Sequence, residues 1–189
     1  MNPVQILDAE SEVLSIAEVK SQIRVTTTAD DDAFRLFIAS VRHQVQRILN
    51  KTLITSTWAY KLDSFPAEIL LPMSPIQSIT SVEYVDTDGA TQTLASSGYQ
   101  FDAKGRLSPS YGNSWPSTRS QYDAVTVTYI AGETHAGNVP EDIKHAMLLM
   151  IGAADVAREG VVIGAGVVVS EVKNPRAAGL LHPYKVVSV

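Results

Sequence analysis

The hydrophobic period of this chain changes twice, and no fold can ignore either change. Over residues 31–49, DDAFRLFIASVRHQVQRIL, the large apolar side chains fall at Phe34, Phe37, Ile38, Val41, Val45, Ile48 and Leu49. That is the i, i+3, i+4, i+7 spacing of one buried helical face. Asp30, Asp31 and Asp32 stand at the positive end of the helix dipole, and Asn50 is placed to stop the helix in a left-handed conformation. After Asn50 the period drops to two, and it returns to a helical one only after Pro140. A helix at 140–158, with Ile143, Met147, Met150, Ile151 and Ala154 on one face, is the simplest partner for the first. Residues 52–131 then form an insertion between two helices that belong together.

Upstream, Ser15 and Glu18 spell a capping box, which starts a short helix near 15–25, and Leu14 and Val19 occupy the staple positions. Residues 1–13 are expected to be a leader ordered only by contact. Within the insertion, 53–62 alternates as a strand and 68–71 is a short one. Residues 79–85 and 91–94 flank Asp88-Gly89 as a hairpin, 99–102 and 106–108 flank a second turn, and 124–131 is the cleanest strand. The fold class is therefore α+β: a small helical bundle (14–51 and 139–160), an inserted and mostly antiparallel β subdomain of about six strands, and an extended C-terminal arm (161–189).

The arm is the odd segment. Residues 161–172, VVIGAGVVVSEV, are almost wholly apolar, and Asn174-Pro175 breaks the run. From 161 onward Lys173, Arg176 and Lys185 stand against the single acid Glu171, whereas the whole chain is −5. One reading packs this segment as a strand on the protein's own sheet. The other makes it an arm that binds another subunit or a partner.

A net charge of −5 over 189 residues argues against general affinity for nucleic acid, which needs a basic face. With no cysteine there is neither a disulfide nor a thiolate metal site. No apolar run is long enough to span a membrane, the N-terminus lacks a signal-peptide pattern, and manufacture in a cytoplasm is expected. His43, His135, His145 and His182 are scattered, and no G-x-S-x-G or H-E-x-x-H occurs. Gly164-Ala165-Gly166 lacks the third glycine and following helix of a dinucleotide site. No catalytic constellation, metal site or cofactor site is expected. Residues 108–120, SPSYGNSWPSTRS, read as an exposed loop in which Tyr111, Trp115 and Arg119 could contact a carbohydrate or peptide.

Taken in order, SIAEVKSQIRV, TSTWAYKLDSFPAEILLP, PIQSITSVEYVDTDGATQTL, YGNSWPSTR, AVTVTYIAG and VPEDIKHAMLLMIG resemble the head–tail connector (adaptor) proteins of tailed bacteriophages and related gene-transfer particles. AGLLHPYK extends the match more weakly toward the end. The similarity is to the group with a β-rich insertion between helices. It implies a structural virion protein of the neck, assembled in the host cytoplasm into a homo-oligomeric ring, usually dodecameric, beneath the portal protein. Such a ring extends the channel through which double-stranded DNA passes without specific binding, and it presents a platform for the stopper or tail-completion protein. The resemblance points to the C-terminal residues Lys173, Pro175, Arg176, Leu180, Leu181, Tyr184 and Lys185 as a portal- or neighbour-binding arm. Arg35, Arg42 and Arg47, on what reads as the polar flank of the 31–49 helix, are candidates for a neighbour's carboxylates.

Overall fold

A computed structural model describes residues 3–159 and 174–186, which fall into two compact units. One comprises residues 50–134 with the N-terminal segment through Ser11; the other comprises 12–49 and the chain from His135 onward.

The first unit is all β. Strands β1 (Val4–Leu7), β2 (Ser56–Leu62), β3 (Ile69–Leu70), β4 (Ile76–Val85), β5 (Thr91–Thr93), β6 (Tyr99–Phe101), β7 (Arg106–Pro109) and β8 (Val125–Ala131) form two antiparallel sheets. The larger runs β1-β2-β8-β4-β5 and the smaller β3-β7-β6. Alternation along β8 sends Val125, Val127, Tyr129 and Ala131 inward, and Trp58, Ile76 and Val82 join them from the same sheet. The smaller sheet contributes Leu107 and Ile69, and Leu71 and Met73 lie in the same core. Tyr129 satisfies its buried hydroxyl by donating to the Pro72 carbonyl at 3.0 Å, and burial pushes its pKa far up. Gly132, at φ +106°, lies so close to the Ile54 backbone that a side chain there would collide with it.

Both short hairpins are built on one device. Asp86 and Asp102 each accept, through the carbonyl, the N–H of a glycine three residues on (Gly89, Gly105), and each donates its own N–H to the residue four on. Each carboxylate also accepts the amides two and four positions ahead: Asp88 and Ala90 in one turn, Lys104 and Arg106 in the other. The glycines sit at φ +90° and +95°, the left-handed position of a three-residue hairpin loop.

The second unit is helical: α1 (Ile16–Ile23), α2 (Asp31–Leu49), α3 (Glu141–Glu159) and α4 (Pro175–Leu181). The α1 capping box forms as its sequence implies, with the Ser15 N–H and hydroxyl donating to the Glu18 carboxylate and the Glu18 N–H to the Ser15 hydroxyl. This holds the Glu18 carboxyl below the usual carboxylate range. Asn50 takes φ 53° and ends α2. Helices α2 and α3 do pack on each other, burying Phe34, Ile38, Val41, Val45 and Leu49 on one and Ile143, Ala146, Met147 and Ile151 on the other. Apart from Ala146, each such side chain contributes roughly 1.5–3 kcal/mol of transfer free energy.

The structure refines some expectations and corrects others. Residues 4–7, within the segment expected to be ordered only by contact, form the edge strand β1, paired with β2. The expected antiparallel β subdomain is present; among the described residues it comprises eight strands in two sheets, with β1 joining from outside the insertion. Ile48, placed on the buried face by its spacing, is 40% exposed, since it falls at the flank of the stripe formed by Ile38, Val45 and Leu49. At the C-terminal end, residues 177–184, whose sequence allows a helical turn or two, are helical. Asn174 accepts the N–H groups of Arg176 and Ala177 as an N-cap, and Pro175 opens α4, where its missing N–H costs nothing. The apolar run 161–172 lies outside the described residues.

Candidate assembly interface

In the helical unit, α4 lies against α3 and α2 and buries Ala177 and Leu181. The Asn174 side-chain amide donates to the Leu149 carbonyl at 3.4 Å. The Tyr184 hydroxyl donates to Asp142 at 3.1 Å; that hydrogen bond, then burial and the carboxylate's charge, raises its pKa. The Val186 N–H reaches the Leu49 carbonyl at 3.1 Å and so covers one open acceptor at the end of α2. Of the candidate arm residues, Leu181 is therefore committed inside the chain, while Leu180 and Tyr184 are half-buried. Pro175, Arg176 and Lys185 are exposed, and Lys173 lies outside the described residues.

The three arginines of α2 do not share one face. Arg35 is exposed and pairs with Asp32 at 2.6 Å one turn earlier, and Arg47 is exposed in the last turn. Arg42 is 1% exposed, against the expectation of a solvated flank. Its Nε–H donates to Glu12 Oε2 at 2.8 Å and an Nη–H to Glu12 Oε1 at 3.2 Å, so the segment preceding α1 is clamped to α2. The helical spacing carried the signal, since position 42 lies four beyond Ile38 and three before Val45, within the apolar stripe.

In the β unit, the loop after β7 does not gather its candidates into a site. Tyr111 is fully exposed, whereas Trp115 stacks on Phe65 with ring centroids 4.7 Å apart and planes 9° apart. The Arg119 N–H donates to Val85, and its guanidinium lies over Gly89. A polar groove of about 580 Å³ runs beside it, with Asp63, Arg119 and Tyr122 in its lining. The large exposed apolar side chains concentrate instead on β1: Val4, Ile6 and Leu7. Sequence reasoning passed over that strand because a four-residue run near a terminus carries too little alternation to read.

Among the described residues, no group of three or more His, Asp or Glu could hold a metal ion, and no helix is long and apolar enough to cross a membrane. The chain belongs to the head completion protein family, which matches residues 12–186. Such a protein is structural and not an enzyme.

Solved structures share the fold along the full length. The chain is similar to one from the neck of an empty gene transfer agent (GTA) particle computed with C6 symmetry, at 17% identity and TM-score 0.77. It is also similar to a chain from the virion of a native GTA particle (19%, 0.76) and to one from the neck of a native GTA particle computed with C12 symmetry (18%, 0.73). Each match covers 100% of this chain and 97% of the other. No curated protein sequence matches it.

Proposed function

We propose that this chain is a head–tail connector (adaptor) of a tailed phage or gene-transfer particle. In this reading, copies form a ring under the portal protein in the neck, extend the channel for double-stranded DNA, and offer their far side to the stopper or tail-completion protein. The observation that carries the reading is the fold shared over the whole chain with proteins of GTA necks solved under C6 and C12 symmetry, together with the head completion family match. A chain with net charge −5 suits a conduit that repels passing DNA rather than holding it. The exposed residues of the C-terminal helix, Pro175, Arg176 and Lys185, with half-buried Leu180 and Tyr184, are the surface this role would use against the portal. Arg35 and Arg47 remain available to a neighbour's carboxylates.

Deleting the gene from the particle that encodes this chain tests the role. The expected result is filled or leaking heads beside free tails, with joining restored by the protein supplied in trans. Normal tailed particles from the deletion would refute it.

A further inference from the structure

Residues 110–124 join β7 to β8 with neither helix nor strand. Connections of that length without secondary structure are uncommon in compact units and are usually functional. This one is not slack. Trp115 stacks on Phe65, which meets Tyr84 edge-on at 5.8 Å, and the Arg119 N–H donates to Val85 at 3.0 Å. Ahead of them the Ser110 N–H donates to Gly98 at 3.1 Å, and the Asn113 N–H closes back on the Ser110 carbonyl at 2.9 Å. Gly112 takes φ +80°, the value of the third residue in a type II turn. Tyr111 therefore stands at the corner of a hydrogen-bonded turn whose first residue is tied to Gly98. Among the described residues it is the most exposed large apolar side chain, and the fold gains nothing from a ring there. A tyrosine on a fixed backbone is a good interface anchor, because only two side-chain torsions are frozen on binding.

The far end of the same loop lines a socket. The groove of about 580 Å³ is walled by Asp63 and Ser64 after β2 and by residues 118–122. Arg119 brings a guanidinium suited to the face of an aromatic ring. Tyr122, 86% exposed, brings a second ring to pack beside it. Asp63, whose Oδ1 is steadied by the Asp123 N–H at 3.0 Å, supplies a carboxylate to accept a phenolic O–H. Tyr111 is not among the lining residues, so the chain does not fill its own groove. Nucleic acid is a poor match, since residues 50–134 hold five Lys and Arg against eight Asp and Glu.

We propose that Tyr111 of one copy seats in the groove between Asp63, Arg119 and Tyr122 of the next, so that the subunits of the ring are joined through their β units. The proposal rests on the ring reading given above. A second copy is the occupant because knob and socket match in chemistry, ring against cation and hydroxyl against carboxylate, and one loop encodes both. Donor and acceptor are different surfaces, which lets the contact run head to tail and close a ring; pairing of identical surfaces gives only a two-fold dimer. Tyr111 and Arg119, which do not meet within one chain, then meet across the contact.

The absence of cysteine makes the test clean. Full-length chains carrying Asn113→Cys or Ser114→Cys, each combined with Ser64→Cys or Ser120→Cys, are assembled on portal rings and oxidised. At least one pair should give a ladder of disulfide-linked multimers, longer than dimers, on a denaturing gel. Tyr111→Ser should lower ring yield by about tenfold or more, as the loss of an interface anchor does, and Tyr122→Ser by a comparable factor. Tyr111→Phe keeps the ring and drops only the hydroxyl, so its yield should fall between those of Tyr111→Ser and the native chain. Both tyrosines are exposed in the single chain, so the urea midpoints of these variants should match the native one. Rings at normal yield with Tyr111→Ser would overturn the proposal and leave the ring reading standing. Links that stop at dimers, form only within single chains or form at no pair would do the same. If the unaltered chain forms no ring on its portal, both readings fall.

Discussion

The guanidinium of Arg42 is buried in the helical unit and held by both carboxylate oxygens of Glu12, thirty residues away in sequence, at 2.8 and 3.2 Å. This pair ties the chain ahead of α1 to the middle of α2. Glu12 is about a third exposed, so water shares in the stabilisation of its charge. Removing it nevertheless leaves a buried cation short of its carboxylate. Glu12→Ala should destabilise the protein by about 2–4 kcal/mol. Replacing both partners, as in Glu12→Leu with Arg42→Met, should recover part of that loss, because the buried guanidinium is removed together with the carboxylate. Urea midpoints of the single and double variants check this.

The C-terminal helix is part of the bundle, and Leu181 is its anchor. Leu181→Ala should cost about 2–4 kcal/mol through lost burial and the cavity left behind, and half-buried Leu180→Ala markedly less. Tyr184→Phe should lower stability far less than Leu181→Ala, since it removes one hydrogen bond near water. A chain ending near residue 160 should accordingly melt at a lower temperature than the full chain, which differential scanning calorimetry would register. Failure of such a truncation to join portals would therefore mix a folding defect with a lost contact. Arg176→Glu and Lys185→Glu, on exposed positions, are the cleaner probes of portal binding.

Two glycines separate backbone strain from collision. Gly89 and Gly105 both require positive φ, so alanine at either should cost about 1–2 kcal/mol. At Gly89 the added carbon meets only the end of the Arg119 side chain, which can move; at Gly105 it meets the backbone carbonyl of Leu71, which cannot. Thermal denaturation should show Gly105→Ala as clearly the worse of the two.

Acid should loosen both hairpins together. Hydrogen bonds from the Gln92 side chain and then the Ala90 amide lower the pKa of Asp86; those from the Arg106 amide and then its side chain lower that of Asp102. With folded values below the unfolded one of about 3.9, their contribution is complete above that pH and is lost as pH falls through the folded values. The urea midpoint of the native chain should thus drop more steeply below about pH 4 than that of the Asp86→Asn, Asp102→Asn double variant. Parallel slopes would contradict the assignment.

Much of this architecture was legible in the residues, because periodicity reports burial directly. The Ser15–Glu18 capping box, the Asn50 stop and the two glycine-containing turns are each decided by a few neighbouring residues and form where they were read, and the α2 stripe does so except at Ile48. What escaped depended on distant partners or on a motif given too narrow a meaning. Arg42 lies on the apolar stripe by spacing alone, yet its burial depends on partners such as Glu12, thirty residues away, and no local pattern announces that pairing. Asn174-Pro175 was read as a break, although the same dipeptide is also a helix start; the choice turns on what Ala177 and Leu181 pack against. Asp86 and Asp102 stand three residues ahead of their turn glycines, a repeated D-x-x-G that was visible but lay outside the two-residue turn signal. The loop aromatics could not be apportioned from sequence, because Trp115 is drawn to Phe65 while Tyr111 has nothing similar to cover it.

Electron microscopy of the chain co-produced with the portal protein of its own particle tests the central claim most directly. The account predicts portal rings carrying a second, coaxial ring of this chain on the side away from the head, with matching rotational symmetry in class averages. Portal rings that remain bare while the chain stays monomeric in the same preparation would contradict it.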